Sequence, residues 1–378
     1  MKRPIPYALL AALAINACSE PVRPAPAPAG GPSLSHDAGS DPISVAHIVL
    51  PSETSESDEV NWVPLVNPGT ALHYAWLPAR HVPQPRLFVF MPGTGNRPPD
   101  YQLFSAEAAR AGYHVIGLMY QNDKAIEVIC KASADLDCAE KVRMEVLTGE
   151  DLWEPVTVTV TPGNSIDHRL ERLLVYLRTE YPNEHWHKFL KQGKPDWSKI
   201  VVGGQSQGAG QAALIARERL VPRVVMLSGP PDQSNGPAID SWVRLGATPA
   251  ESMFALYHAA DNFRPGISAN MGTGGFGLDW LGTAGVGTLG PWCSSEDLGP
   301  LADETFGTAH VLVTNLVPND PVKPSCLAPN PHRSTARDAY TPLVAGTTTP
   351  ALLGAWRYLI GDPKEFANED EVEDEATP

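Results

Sequence analysis

The 378-residue sequence predicts an α/β fold, a mostly parallel central sheet with helices on both faces. Two observations carry that prediction. Strand-like runs near residues 86–91, 114–120, 199–204, 223–228, 253–258 and 310–316 alternate with helical patterns at about 100–112, 165–181, 207–220 and 350–360. Several of the runs are almost wholly apolar, as in Leu87-Phe88-Val89-Phe90 and Val224-Val225-Met226-Leu227, which is the composition of strands covered on both faces. An earlier pair of runs, near 60–66 and 71–76, is expected to form an antiparallel edge. With 43% hydrophobic residues, the chain has ample material for a core.

Ahead of this pattern, Lys2 and Arg3 precede a short apolar stretch at 7–15. It is too short to span a bilayer and reads as a targeting segment. The end of that segment, Ile15-Asn16-Ala17-Cys18, resembles a bacterial lipoprotein box, in which the cysteine becomes the lipidated first residue. Asn16 departs from the usual small residue there, so plain signal cleavage, giving a periplasmic or secreted protein, stays open. Residues 1–18 are therefore expected to direct export to the cell envelope, with Cys18 as the lipidation site. Residues 19–45, rich in Pro, Ala, Gly and Ser, read as a linker. The folded domain is expected over 46–362 and an acidic, disordered tail over 363–378. After Gly361 the chain carries eight carboxylates and one lysine. A net charge of −15 disfavours a nucleic-acid partner, whose phosphates would be repelled. Membrane contact is expected only through a lipid on Cys18.

If Cys18 is lipidated, Cys130, Cys138, Cys293 and Cys326 remain. An even number in an oxidising compartment points to two disulfides, for which three pairings exist, and buried free thiols are the alternative. Cys130–Cys138 is favoured because both lie in one local segment; Cys293–Cys326 would then tie two loops together. Two long insertions exceed a minimal sheet. One spans about 121–161. The other, about 263–308, is Gly-rich and holds Trp280 and Trp292. Segments of this length over a sheet edge are lids, pocket walls or passive covering.

The chemistry begins at Gly204-Gln205-Ser206-Gln207-Gly208, which follows the β-branched run Ile200-Val201-Val202 and opens a helical pattern. Strand, G-x-S-x-G, helix is the context of a nucleophile elbow. The turn is tight enough that side chains at 204 and 208 would clash, hence the glycines. Ser206 is expected in a strained conformation with its hydroxyl above the sheet.

On these residues the chain resembles the α/β-hydrolase superfamily over roughly 60–362. The resemblance implies a nucleophile, an acid and a histidine in that chain order, with the acid after the second strand beyond the elbow and the histidine after the last strand. Asp261, in Ala259-Ala260-Asp261-Asn262, fills the acid slot, and His332 fills the histidine slot. Asp232, in Ser228-Gly229-Pro230-Pro231-Asp232, competes for the acid, since some hydrolases of this fold keep it after the preceding strand. His310 lies at the start of its strand, on the wrong sheet edge, and His258 reads as a core histidine. The resemblance also implies an oxyanion hole. Its two N–H donors would be Gln207, after the nucleophile, and Thr94, in Met91-Pro92-Gly93-Thr94-Gly95-Asn96. That loop is similar to the family's His-Gly-x segment with Pro92 in place of His, and Gly93 is expected to free the backbone to turn.

Gly272-Thr273-Gly274-Gly275-Phe276-Gly277 matches a dinucleotide pattern but neither follows an expected strand nor opens a helix, so it reads as flexible loop. His185 and His187 have no third ligand nearby, and His168 reads as structural. No cofactor or metal signature is present. The expectation is an exported serine hydrolase that cleaves a small-molecule or polymeric carboxylic ester. Amide, thioester or polyester cleavage, and a non-catalytic binding lipoprotein, are the alternatives.

Overall fold

A computed structural model gives the fold over residues 43–55, 72–79, 86–131, 133–152, 160–233, 239–286, 306–319 and 330–361. Cys18, Cys293, Cys326, Trp292 and the expected strand at 60–66 lie outside these described residues. So do the acidic tail and all but the last residues of the expected linker. The central strands are β1 (His47–Val49), β2 (His73–Trp76), β3 (Leu87–Met91), β4 (His114–Gly117), β5 (Ile200–Gln205), β6 (Val224–Leu227), β7 (Met253–His258), β8 (Thr283–Val286) and β9 (Val311–Thr314). They form one sheet in the order β1-β2-β4-β3-β5-β6-β7-β9-β8. β2 runs against both neighbours, and every pairing from β4 onward is parallel. This is the α/β-hydrolase fold, with β8 added at the far edge.

The alternation along each strand explains the two covered faces. Leu87, Val89 and Met91 of β3 join Ile200 and Val202 in one apolar cluster, while Phe88 and Phe90 join Val201 and Val225 in the other. On the first face lie α3 (Cys138–Thr148), α4 (Ile166–Glu180) and α5 (Gln207–Glu218). α4 is helical because Leu170, Leu173, Leu174 and Leu177 recur at helical spacing and all are buried, and because Ser165 caps it by accepting from the His168 amide. The second face is covered by α1 (Gln102–Arg110) and α8 (Leu353–Ile360), where the rings of Phe104 and Trp356 meet edge to face, 5.5 Å apart.

Several elements differ from the sequence reading. The antiparallel edge is built by β1 with β2, through the register Ile48 to Tyr74. The first insertion forms α2 (Ile126–Cys130) and α3, joined by the Cys130–Cys138 disulfide. From the second insertion come α6 (Arg264–Met271) and β8, so part of it extends the sheet instead of covering it. Trp280 is 78% exposed. The segment from Gly272 to Gly277 is a hydrogen-bonded turn that seats Phe276 in the core.

Candidate active site

The elbow joins β5 directly to α5. Ser206 sits there at φ 56° and ψ −116°, a conformation that a side-chain-bearing residue occupies only when its surroundings impose it. The surroundings are tight. A Cβ on Gly204 would lie 2.4 Å from the Gly208 carbonyl carbon, and one on Gly208 would lie 2.0 Å from the Met91 carbonyl oxygen. The second clash is thus with β3 rather than across the turn. The Ser206 amide donates to the Leu227 carbonyl at 2.8 Å, which ties the turn to β6.

His332 arrives on the short helix α7 (Pro331–Ser334) and Asp261 on the turn after β7. His332 Nε2 lies 2.8 Å from Ser206 Oγ, and His332 Nδ1 lies 2.8 Å from Asp261 Oδ2. The Asp261 side chain is fully buried and its other oxygen accepts the Phe263 amide at 2.8 Å. A carboxylate only accepts, so Nδ1 carries the ring proton and donates to it. Nε2 is left to accept from the serine hydroxyl. The Phe263 ring packs on the imidazole with centroids 4.7 Å apart. The loop that carries His332 is held from several sides. Thr335 Oγ1 pairs with Ser228 Oγ, the Thr335 carbonyl accepts from Trp356 Nε1, and Asp338 accepts the Gln102 and Leu103 amides at the start of α1.

Thr94 and Gln207 are brought to the same end of the sheet, where Thr94 Oγ1 donates to Gln207 Oε1 at 2.7 Å. The Gly93 carbonyl accepts from Asn122 Nδ2 at 2.7 Å and from the Asn96 amide at 3.0 Å. In a trans peptide the next N–H points the opposite way, so these two bonds aim the Thr94 amide. In the same manner Gly210 N–H holds the Ser206 carbonyl and aims the Gln207 amide along the axis of α5. Neither amide has a partner among the described residues, whereas those of Gly93, Gly95 and Asn96 are all engaged.

Asp232 faces elsewhere. Both its oxygens accept from Arg143 at 2.6 Å, and both residues are buried. The guanidinium also donates to the Gln207 carbonyl at 3.1 Å and lies in a slot that a Cβ on Gly210 would fill, 2.3 Å away. Arg143 thus fastens α3 to the first turn of α5. Glu127, on α2, shares this neighbourhood. Burial raises its carboxyl above the usual range and Asp232 adds to the shift, while its own backbone amide, Arg143 and His332 oppose it. His258 is buried in β7, accepting the Ala260 amide and donating to the Leu316 carbonyl; His310 donates to the Met253 carbonyl. Neither belongs to the site.

Sequence reasoning missed Arg143, Asn122, Tyr101 and the side chain of Gln205. Only Gln205 carried a local signal, its place inside the elbow. The others are polar residues whose partners are distant in the chain.

No family model matches the chain, and no curated protein matches its sequence. Among solved structures it is similar to a protein of unknown function from Staphylococcus aureus subsp. aureus Mu50, at 19% identity over 42% of this chain and 41% of that one, with a TM-score of 0.22. It is also similar to a bacterial heroin esterase, at 12% identity over 52% of this chain and 64% of that one, with a TM-score of 0.29. The chain spans less than two thirds of either protein. Likeness at this level carries no argument about activity, which rests on the geometry above.

Proposed function

We propose that the chain is an exported serine hydrolase that cleaves carboxylic esters through an acyl-enzyme. The observation that carries this reading is the unbroken series Asp261–His332–Ser206, at 2.8 Å for each bond, beside two backbone amides with no partner among the described residues. In the first step Ser206 Oγ attacks the ester carbonyl carbon while His332 Nε2 takes the hydroxyl proton. Asp261 holds the imidazole in the tautomer that can accept it and offsets the charge that forms. The carbonyl oxygen becomes an oxyanion, stabilised by the Thr94 and Gln207 amides and by the positive end of α5. Collapse expels the alcohol, which receives the proton from His332. Water, deprotonated by the same nitrogen, then releases the acid and restores Ser206.

The export half of the reading rests on residues 1–18, with a lipid on Cys18 as the membrane anchor. The substrate partner is a small or polymeric ester. Turnover of an aryl ester and of its anilide analogue by wild type and by Ser206→Ala tests the reaction. The expected result is ester turnover that falls roughly 10⁴-fold or more in the variant. Equal turnover by Ser206→Ala removes the nucleophile, and a preference for the anilide removes the ester class.

A further inference from the structure

We propose that Gln205 is a positioning residue, whose single carboxamide sets the histidine loop and the oxyanion loop against each other so that base and donor pocket align as one unit. The proposal rests on the hydrolase reading above. Gln205 ends β5, immediately before the nucleophile, and is 1% exposed. Its Nε2 donates to the His332 carbonyl at 2.8 Å. Tyr101, with no exposed surface, donates its hydroxyl to Gln205 Oε1 at 3.0 Å and accepts the Gly93 amide at 3.2 Å.

The polarity of this chain has only one solution. The His332 carbonyl can only accept, so the amide nitrogen must face it. Oε1 is then turned to Tyr101, whose proton must go to Oε1. The tyrosine lone pairs are left for the Gly93 N–H, which can only donate. Burial raises the Tyr101 phenol well above its usual range, so it stays protonated and able to play this part.

Packing gives a second, independent observation. A Cβ on Gly93 would lie 2.3 Å from Gln205 Oε1 and 3.2 Å from Ser206 Cβ. Gly93 is therefore glycine because the loop rests directly on the carboxamide, and its φ is not among the positive ones. Tyr101 thus holds the Pro92–Gly93 peptide, and the next peptide, whose Gly93 carbonyl is held by Asn122 and Asn96, carries the Thr94 amide. Three segments remote in sequence, at 93–101, 205 and 332, thus converge on one side chain adjacent to the nucleophile. A displacement of either loop shifts the group on which the other rests.

Three variants, assayed with an aryl ester and a fluorophosphonate, test the coupling. Gln205→Met keeps the volume and loses both bonds. Tyr101→Phe loses only the oxyanion side. Gln205→Glu reproduces both bonds only while its carboxyl is protonated. For Gln205→Met the expected result is a kcat roughly 10- to 100-fold lower with KM within about two-fold, the size of effect that misplacement of reacting groups by up to about 1 Å produces. Tyr101→Phe is expected to lose less, and to add nothing when combined with Gln205→Met. For Gln205→Glu, activity relative to wild type is expected to rise as pH is lowered. A merely structural role moves neither the pH profile nor the split between kcat and KM. The proposal is overturned if Tyr101→Phe and Gln205→Met keep kcat within two-fold, or if the Gln205→Glu profile follows wild type. Should Gln205→Met fail to fold, Tyr101→Phe decides by the same criterion. Wild-type labelling at Ser206 with unchanged rates in the variants removes the coupling alone, whereas no labelling of wild type removes the hydrolase reading itself.

Discussion

Two aspartates, Asp261 and Asp232, show how a carboxylate's role follows from what faces it. Asp261 faces an imidazole that is itself bonded to Ser206, and Asp232 faces a buried guanidinium. Asp261→Asn leaves the packing in place but presents an amide that favours the wrong tautomer of His332. Its kcat is expected to fall roughly 10³- to 10⁴-fold with little change in thermal midpoint. Asp232→Asn instead leaves the Arg143 charge buried and uncompensated, which costs about 3–5 kcal/mol. It should appear as a lower urea midpoint, with kcat of the folded fraction nearly intact. The opposite pattern, turnover lost only at position 232, would make Asp232 the acid. The meeting of Ser206, His332 and Asp261 could be anticipated from the sequence because the α/β-hydrolase resemblance implies their chain order and their slots after strand ends. Tyr101 was not, because the carboxamide it bonds lies 104 residues away and nothing local marks the pair.

At the scale of elements, the first insertion is a clamp. α2 and α3 are joined by the Cys130–Cys138 disulfide, and α3 is fastened through Arg143 to the helix behind Ser206. Replacing both cysteines by serine removes a short closure, with a sequence separation of 8, and chain entropy puts the loss at about 2.5 kcal/mol. Chemical denaturation of the variant and of reduced wild type measures it, and equal midpoints in all forms would show that the bond holds nothing in place. The central strands could be read from sequence since both faces are covered, which leaves apolar runs. β8 and β1 could not. As edge strands of four and three residues, with exposed and buried positions interleaved, they carry no run long enough to register. α2 is five residues long, barely more than one turn, so no helical period can develop.

For the whole molecule, the buried histidines take stability away as pH falls. Burial lowers His73 to about 3, and His114 and His258 to about 4. His73 Nδ1 accepts the Met119 amide, which favours the neutral ring, while the Glu184 carbonyl at His114 and the Leu316 carbonyl at His258 oppose the effect of burial. A histidine whose folded value is depressed contributes stability above the unfolded value of 6.5, and that stability is lost as pH falls. Between about pH 6.5 and 4, each one removes up to about 1.4 kcal/mol per pH unit. The raised carboxyls of Glu127, Glu145, Asp167 and Asp338 act in the opposite direction, gaining stability as they take up protons. His73→Asn keeps an acceptor for the Met119 amide and removes one titrating site. The slope of unfolding free energy against pH in that window should therefore flatten by about 1.4 kcal/mol per unit. An unchanged slope would mean that His73 does not titrate on unfolding.

The sheet, the elbow and the histidine loop together are proposed to make Ser206 a nucleophile. Incubation of wild type, Ser206→Ala and His332→Ala with a fluorophosphonate, followed by mass spectrometry of the digested protein, tests this most directly. The expected result is one phosphonyl adduct, on Ser206, in wild type, none in Ser206→Ala, and strongly slowed modification in His332→Ala. An unlabelled wild type, or an adduct on another residue, would contradict it.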